Sequence, residues 1–407
     1  MPDPCWLGPA GLDMTDQVFD VVVVGAGPAG GAAAFTAARA GLQVALIDRK
    51  TFPRNKLCGG LITGRARRYY HEIFGEEMPF EPQDRKTVVD FRFRGRSVGL
   101  INDAPALCMA MRWDMDHLIC AKAIAAGTRD FTGCQISEIN LNAKFLGLKD
   151  GRTIRYGVLI GADGANSSVA KALFGQSFDR TRIGFGLEIE ATGDHINPEA
   201  PLRIDFAAAR WGYGWAFPKR CSTTVGVGGL MARNPDMKTA MAEYLTELGI
   251  DCAPKAFKGQ FLPFGDFRKV PGRDAMLLCG DAAGLVDPIT GEGIAYALKS
   301  GKLAALSAVD SLSNNAPATA LEGYRRRLVG IHRALRMARW IRPVVFLPAL
   351  EGAFETTFRR SSTLRQDYLR LMAGEIEYEH ILKALALRVP RLLVHAVGAG
   401  FRQRQSR

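Results

Sequence analysis

Asp20-Val-Val-Val-Val24-Gly25-Ala-Gly27-Pro-Ala29-Gly30 is the stretch on which the fold turns. Its β-branched run has no polar alternation, which predicts a strand buried on both faces, as in a parallel sheet. The glycine turn follows at once. The Ala-rich run from Gly31 to Ala40 has strong helix propensity, and Gly41 stands where a C′ glycine ends a helix. Val44-Ala-Leu-Ile47 reads as a second buried strand that closes on Asp48. Strand, GxGxxG, helix, strand and acid together predict a βαβ unit that holds a dinucleotide. Gly25 permits the tight turn, Gly27 lets the backbone approach a pyrophosphate, and Gly30 lets helix and strand pack closely. The open helix start, with Ala29 in its first turn, supplies N–H groups for the phosphates. Asp48, followed by Arg49, is placed at the adenosine ribose. The motif alone does not separate FAD from NAD.

Two later motifs do. Leu159-Ile-Gly-Ala-Asp163-Gly is an apolar strand running into a DG turn. Ala275-Met-Leu-Leu278-Cys-Gly280-Asp281 is another strand ending on an acid, followed by Pro288, Gly291-Glu-Gly293-Ile294 and a helix-like run. An Asp at the C-terminal end of a strand sits at the crevice where α/β sheets bind ligands. There Asp281 can bond a ribityl hydroxyl. The glycines at 291 and 293 let backbone N–H groups reach an isoalloxazine edge at a helix start.

The GxGxxG, DG and GD motifs in this order resemble the p-hydroxybenzoate hydroxylase superfamily of FAD enzymes. Within it, four segments resemble the geranylgeranyl reductase family: Lys56-Leu-Cys58-Gly59-Gly60, Tyr213-Gly-Trp215-Ala-Phe217-Pro218-Lys219, GDAAG at 280–284 and GEGI at 291–294. The resemblance spans roughly residues 17–310. It implies FAD held by Gly25, Gly27, Ala29, Gly30, Asp48, Arg49, Cys58, Gly59, Arg112, Asp163, Asp281, Pro288, Gly291, Gly293 and Ile294. It implies Cys58 beside the flavin, as a positioner or proton relay, with Tyr213 and Trp215 as further catalytic candidates. Trp215 and Phe217 line the substrate pocket in the family; with Tyr213 they alternate along a strand and so share one face.

The expected fold is α/β: a Rossmann-type FAD-binding domain, an inserted antiparallel β-sheet substrate domain and a C-terminal helical region. Residues 1–16 read as a tail. Residues 17–75, 105–170 and 265–315 form the FAD domain, 76–104 and 171–264 the substrate domain, and 316–407 a basic helical region. In that last region Arg325, Arg326, Arg327, His332, Arg333, Arg336, Arg339 and Arg342 crowd one basic amphipathic helix. The end, 401–407, reads as disordered.

The 407 residues carry 53 Lys+Arg against 41 Asp+Glu, a net +12. That balance suits an acidic protein, an anionic substrate or an anionic membrane surface; no nucleic-acid partner is expected. Eight scattered cysteines form no CxxC pair, which excludes zinc spacing and a disulfide scaffold. No run is long enough to span a membrane, so the expected location is cytoplasmic, or peripheral to the inner membrane. A second GxGxxG is absent, so the reductant is NAD(P)H bound transiently or an electron-transfer protein. Three activities stay open: reduction of prenyl double bonds, aromatic hydroxylation of a small phenol or of a tryptophan on an acidic protein, and a non-catalytic flavin-binding assembly role. GDAAG at 280–284, where many superfamily hydroxylases carry GDAAH, favours the reductase. Halogenation ranks third, after reduction and hydroxylation, because Trp215-Ala-Phe217-Pro218 departs from the halogenase segment.

Overall fold

A computed structural model describes residues 16–383, less 82, 83, 106, 194–196, 252 and 265. Residues 1–15 of the expected tail and residues 401–407 therefore lie outside the described residues, while Asp16, given to the tail, begins the first strand.

The valine run forms the strand Asp16–Val24 at the heart of an eight-stranded sheet. Val21, Val22 and Val23 are fully buried, each contributing about 1.5–3 kcal/mol through burial. The parallel order through the sheet runs Met276–Leu278, Thr153–Gly161, Asp16–Val24, Val44–Asp48, Arg129–Thr132. The helix Pro28–Arg39 leaves the glycine turn and stops at Gly41, whose φ is +86°. The strand ends that carry Gly25, Asp48, Asp163 and Asp281 thus gather at one edge of this sheet, the crevice where such sheets hold ligands.

A second sheet has seven strands, in the order Lys258–Leu262, Gly184–Ala191, Thr223–Leu230, Tyr213–Pro218, Leu202–Phe206, Val89–Phe93, Arg96–Ile101. It is antiparallel with one exception: Leu202–Phe206 runs parallel to Val89–Phe93. That corrects the all-antiparallel reading. The two strands lie far apart in sequence, so no tight turn dictates their relative direction. One face of the sheet packs on the helix Met237–Glu247, with Val225, Val227 and Leu187 meeting Met241 and Tyr244. Gly184, Gly186, Glu188 and Glu190 alternate with those apolar residues and lie on the opposite face.

The region after residue 316 is not a free-standing basic unit. Tyr324 and Leu328 join the first core, whereas Ile341, Phe346, Phe358 and Leu369 join the core under the second sheet. Phe358 meets Phe91 and Phe206 edge-on, at ring-centroid distances of 5.1 and 5.4 Å. To reach both cores the chain turns at Leu328, so the single basic helix expected is two, Ala320–Arg327 and Val329–Phe346. Its arginines are not all on a solvated face either. Arg342 is buried against Trp211 and Phe264 and donates to the Trp211 carbonyl. Arg327 pairs with Asp310, and His332 stacks on Phe267.

Candidate active site

A cavity of about 700 Å³ lies between the two sheets, and every residue assigned from the sequence to the cofactor, the catalysis or the substrate pocket, except Gly30, lines it. Gly30 acts behind the wall. A Cβ there would come within 1.7 Å of the Gly25 carbonyl oxygen, so helix and turn can approach this closely only at a glycine. Gly25 has φ +100° and its N–H donates to the Ile47 carbonyl at 2.6 Å. Asp48 accepts from Ala26 N through Oδ2 and from Lys50 N through Oδ1, both at 2.9 Å. Those bonds hold its carboxylate at the cavity edge. Arg49 beside it is exposed.

The helix Pro28–Arg39 has Gly27 as N-cap, with no side-chain cap and no acid in its first turn. Its first N–H groups are therefore unmatched by side chains, and an anion suits them. Two guanidiniums stand nearby. Arg112 Nε and Nη2 each donate to Asp116 at 2.8 Å, and Arg54 Nη1 lies 3.2 Å from the same carboxylate. Asp116 has no exposed side-chain surface. Two cations sharing one buried anion leave a net positive charge beside Gly27, where a Cβ would meet nothing closer than Arg54 at 3.6 Å. Burial works against the Arg112 charge, but Asp116 holds its pKa above the usual arginine range. Sequence reasoning missed Arg54 and Asp116; the Arg-x-x-x-Asp spacing at 112–116, an ion pair along one helix face, was the available signal.

In the middle of the cavity, burial pushes the Asp281 carboxyl up, opposed by Lys56 and Arg112. Burial also lowers Lys56, with Arg112 adding to that effect. Its ammonium bonds to Gln260 on the edge strand. Asp163 behaves differently: its carboxylate accepts from Ser167 Oγ at 2.5 Å, and from Ser168 N and Oγ at 2.6 and 2.7 Å. It ties the DG turn to the start of the next helix.

Cys58 lies on the loop that bridges the two sheets. Its N–H donates to Glu188 Oε1 at 2.7 Å. Burial lifts the Glu188 carboxyl to about 7, with the Cys58 amide pulling the other way. No sequence motif pointed to Glu188. The signal lay in its strand, where one face offers only Gly184, Gly186, Glu188 and Glu190 and so leaves room for something other than core packing.

Tyr213, Trp215 and Phe217 all face this space. Trp215 lies over glycines: a Cβ at its cross-strand partner Gly226 would come within 2.4 Å of the indole. Its Nε1–H is buried without a partner among the described residues. Tyr213 Oη donates to the Thr290 carbonyl at 2.7 Å, and burial, with Asp287 and Glu292, drives its pKa well up. Its hydroxyl occupies the place a side chain at Gly291 would take, 2.3 Å from that Cβ position. A second tyrosine holds the same loop: Tyr378 Oη donates to Asp287, which itself accepts from Ile289 N and Thr290 N. Glu292 accepts from Thr63 Oγ1 and from Ala295 N, capping the helix Ile294–Ser313. Ile204, Leu262, Phe264, Phe346 and Met372 complete an apolar wall.

These residues fit a flavin dinucleotide. The open helix start and the Arg54–Arg112 pair suit a diphosphate, Asp48 suits a ribose, and the unpaired Trp215 Nε1–H is a buried donor that calls for an acceptor. The cavity is continuous from Asp48 to the apolar wall. Among the described residues no cluster of His, Cys, Asp and Glu is arranged to hold a metal ion.

Comparison with known proteins agrees. Residues 20–97 match the FAD dependent oxidoreductase family. A menaquinone reductase of Mycolicibacterium smegmatis is 30% identical over 387 residues, covering 88% of this chain and 92% of its own. A geranylgeranyl diphosphate reductase of Rhodobacter capsulatus is 30% identical over 350 residues, covering 78% of this chain and 83% of its own. A geranylgeranyl bacteriochlorophyll reductase-like protein of Thermoplasma acidophilum has the same fold, with a TM-score of 0.71 at 20% identity over 93% of this chain and 98% of that one. The dinucleotide cradle and relatives that run nearly the length of the chain lead to one assignment: the protein belongs to the geranylgeranyl reductase family of FAD-dependent oxidoreductases.

Proposed function

We propose that this enzyme reduces carbon–carbon double bonds of a polyprenyl substrate. The observation that carries the reading is the apolar half of the cavity, where Trp215, Phe217, Leu262, Phe264, Phe346 and Met372 form a wall continuous with the dinucleotide cradle. An isoprenoid chain suits that wall, since each buried CH₂ gains about 0.8 kcal/mol. The two relatives named above support it: one is named for a prenylated quinone and the other for a prenyl diphosphate, so the prenyl chain is what they share.

FAD, when bound and reduced by two electrons, supplies the hydride. The chain's residues do the rest. Arg54, Arg112 and the start of the helix Pro28–Arg39 bind the diphosphate, and Asp48 and Asp281 orient the sugar and ribityl hydroxyls. Trp215 and Phe217 align the alkene and exclude water. Glu188 keeps Oε1 on the Cys58 amide and holds a proton on Oε2 near neutral pH for delivery to the substrate carbon. Cys58 and Tyr213 act by position, Tyr213 through the 287–294 loop. Electrons reach the site from NAD(P)H or from an electron-transfer protein.

The test is an anaerobic one. Dithionite-reduced holoprotein is mixed with geranylgeranyl diphosphate or a menaquinone, and flavin reoxidation and product mass are followed. Reoxidation with a gain of two hydrogens per double bond is expected. Reoxidation that requires oxygen and yields a hydroxylated aromatic would replace this reading with the hydroxylase one.

A further inference from the structure

The outer face of the helix Val329–Phe346 changes character along its length. Arg333, Arg336, Trp340, Val344 and Leu347 follow at spacings of three or four, so they share one side. All five are exposed. The first two are cationic, with Arg333 also paired to Glu379 at 2.7 Å and Arg336 the more open charge, and the last three apolar, with Trp340 76%, Val344 42% and Leu347 37% exposed. Leu350 extends the apolar end at 38%. Exposed apolar residues scattered singly need no explanation; a contiguous set headed by a tryptophan does. The patch also adjoins the site, because Phe346, the neighbour of Leu347, lines the cavity.

We propose that this face docks on an anionic lipid bilayer, with Trp340, Val344, Leu347 and Leu350 in the interfacial layer and Arg333 and Arg336 at the headgroups. Charge selects this occupant. Residues 384–407 of the same chain contain Arg388, Arg391, Arg402, Arg404 and Arg407 and no Asp or Glu, and a second copy brings a net +12. Both would meet the arginines with like charge, whereas an anionic surface attracts them at about 1 kcal/mol per residue. Trp is favoured at the headgroup level, where one side of the ring is apolar and its N–H stays wet. No helix among the described residues is long and apolar enough to cross a membrane, so the contact is one of surface. The docking rests on this face alone and stands whatever the substrate is. If the substrate is prenyl, the bilayer also brings it to the wall beside Phe346.

The experiment uses the full-length holoprotein and extruded vesicles, either pure phosphatidylcholine or containing phosphatidylglycerol. Co-flotation gives the bound fraction. Insertion of Trp340 is read as quenching by acyl-chain-brominated lipid, taken as the difference between wild type and W340F. Partition onto anionic vesicles about tenfold above neutral ones, weakening with salt, is expected. The W340S/L347S double variant, checked for unchanged flavin content and melting temperature, should lose about tenfold of it. Absence of flotation, flotation unaffected by that double variant, or equal quenching in W340F would each overturn the proposal. Retention on polyglutamate without flotation would give the face to an acidic protein instead and overturn it equally.

Discussion

The two ends of the cavity are built from different materials. The dinucleotide end is built around backbone from one stretch of chain, residues 20–48, whose turn leaves no room for side chains, with the Asp48, Arg54 and Arg112 side chains at its rim. The substrate end is made of side chains brought together by both sheets and the C-terminal helices: Cys58, Glu188, Trp215, Phe346 and Met372. Backbone geometry either fits or fails, so the first end should lose its ligand outright when altered. A side-chain wall is graded, and its groups are tuned by burial and neighbours. The cofactor and the substrate would thus be selected by physically separate devices, consistent with relatives whose names differ in substrate.

The largest effect is expected from G30V. A Cβ at that position falls 1.7 Å from the Gly25 oxygen; the backbone fixes where the Cβ lies and the oxygen is itself backbone, so neither can rotate away. The purified protein should lose its flavin absorbance, with FAD affinity down at least about a thousandfold. Near-normal flavin content would break the contrast between the two ends. D116A comes next. It strands Arg112 and Arg54 beside each other without their shared anion, and loss of one partner of a buried pair costs about 3–5 kcal/mol. Urea unfolding measures that loss, and it should shrink at high salt or with bound FAD, which restores an anion nearby.

The same division decides what the sequence could disclose. The glycine turn, the two buried strands, Asp48 and Asp281 are legible because the physics that fixes them is local: backbone conformation, apolar runs and chain punctuation. Trp215 and Phe217 are half-legible, since alternation puts them on one face without saying what lies opposite. Glu188 was hidden, because the amide it serves is 130 positions away. The Asp287–Tyr378 clamp spans 91. Neither partner alone differs from an ordinary surface acid or core tyrosine. Arg342 misled in the opposite way: a basic run predicts a solvated face, but Trp211 and Phe264 stack on its guanidinium and pull it inside, and burial lowers it to about 10.

E188Q tests the tuned end. Glu188 is raised from its ordinary 4.5 to about 7 by burial. The folded state therefore favours the protonated carboxyl. Its stabilisation is fully present below about pH 4.5 and is lost as pH rises through about 7. Glutamine keeps the acceptor for the Cys58 amide and removes the titration. Wild type and variant should be of similar stability at pH 4.5, and the variant should gain by up to about 3 kcal/mol at pH 8. Urea titrations at the two pH values would show it. A gap independent of pH would mean that Glu188 is solvated, and the substrate end would lose its proton holder. On the prenyl reading, E188Q has no proton to deliver, so its kcat should also fall by about 10²–10⁴, and the residual turnover should lack the wild-type fall between pH 6 and 8.

Y213F carries the smallest expected effect and sharpens the contrast most. A phenol in the pocket is an obvious proton donor, and if Tyr213 served so, its loss would lower kcat by about 10²–10⁴. The geometry argues for another role. Its proton already lies on the Thr290 carbonyl at 2.7 Å, and burial with Asp287 and Glu292 makes release of that proton harder. Phenylalanine preserves the ring packed against Trp215 at 6.0 Å. It removes one hydrogen bond and leaves a buried carbonyl unmatched, which costs about 1–3 kcal/mol of stability. The 287–294 loop would still be held from the other side by Tyr378 on Asp287. So the expected outcome is a modest loss of stability, a kcat within about tenfold of wild type and an unchanged pH profile. A collapse of kcat with the loop and flavin intact would place the proton on Tyr213 and remove Glu188 from that role, because each double bond reduced takes up one proton besides the hydride.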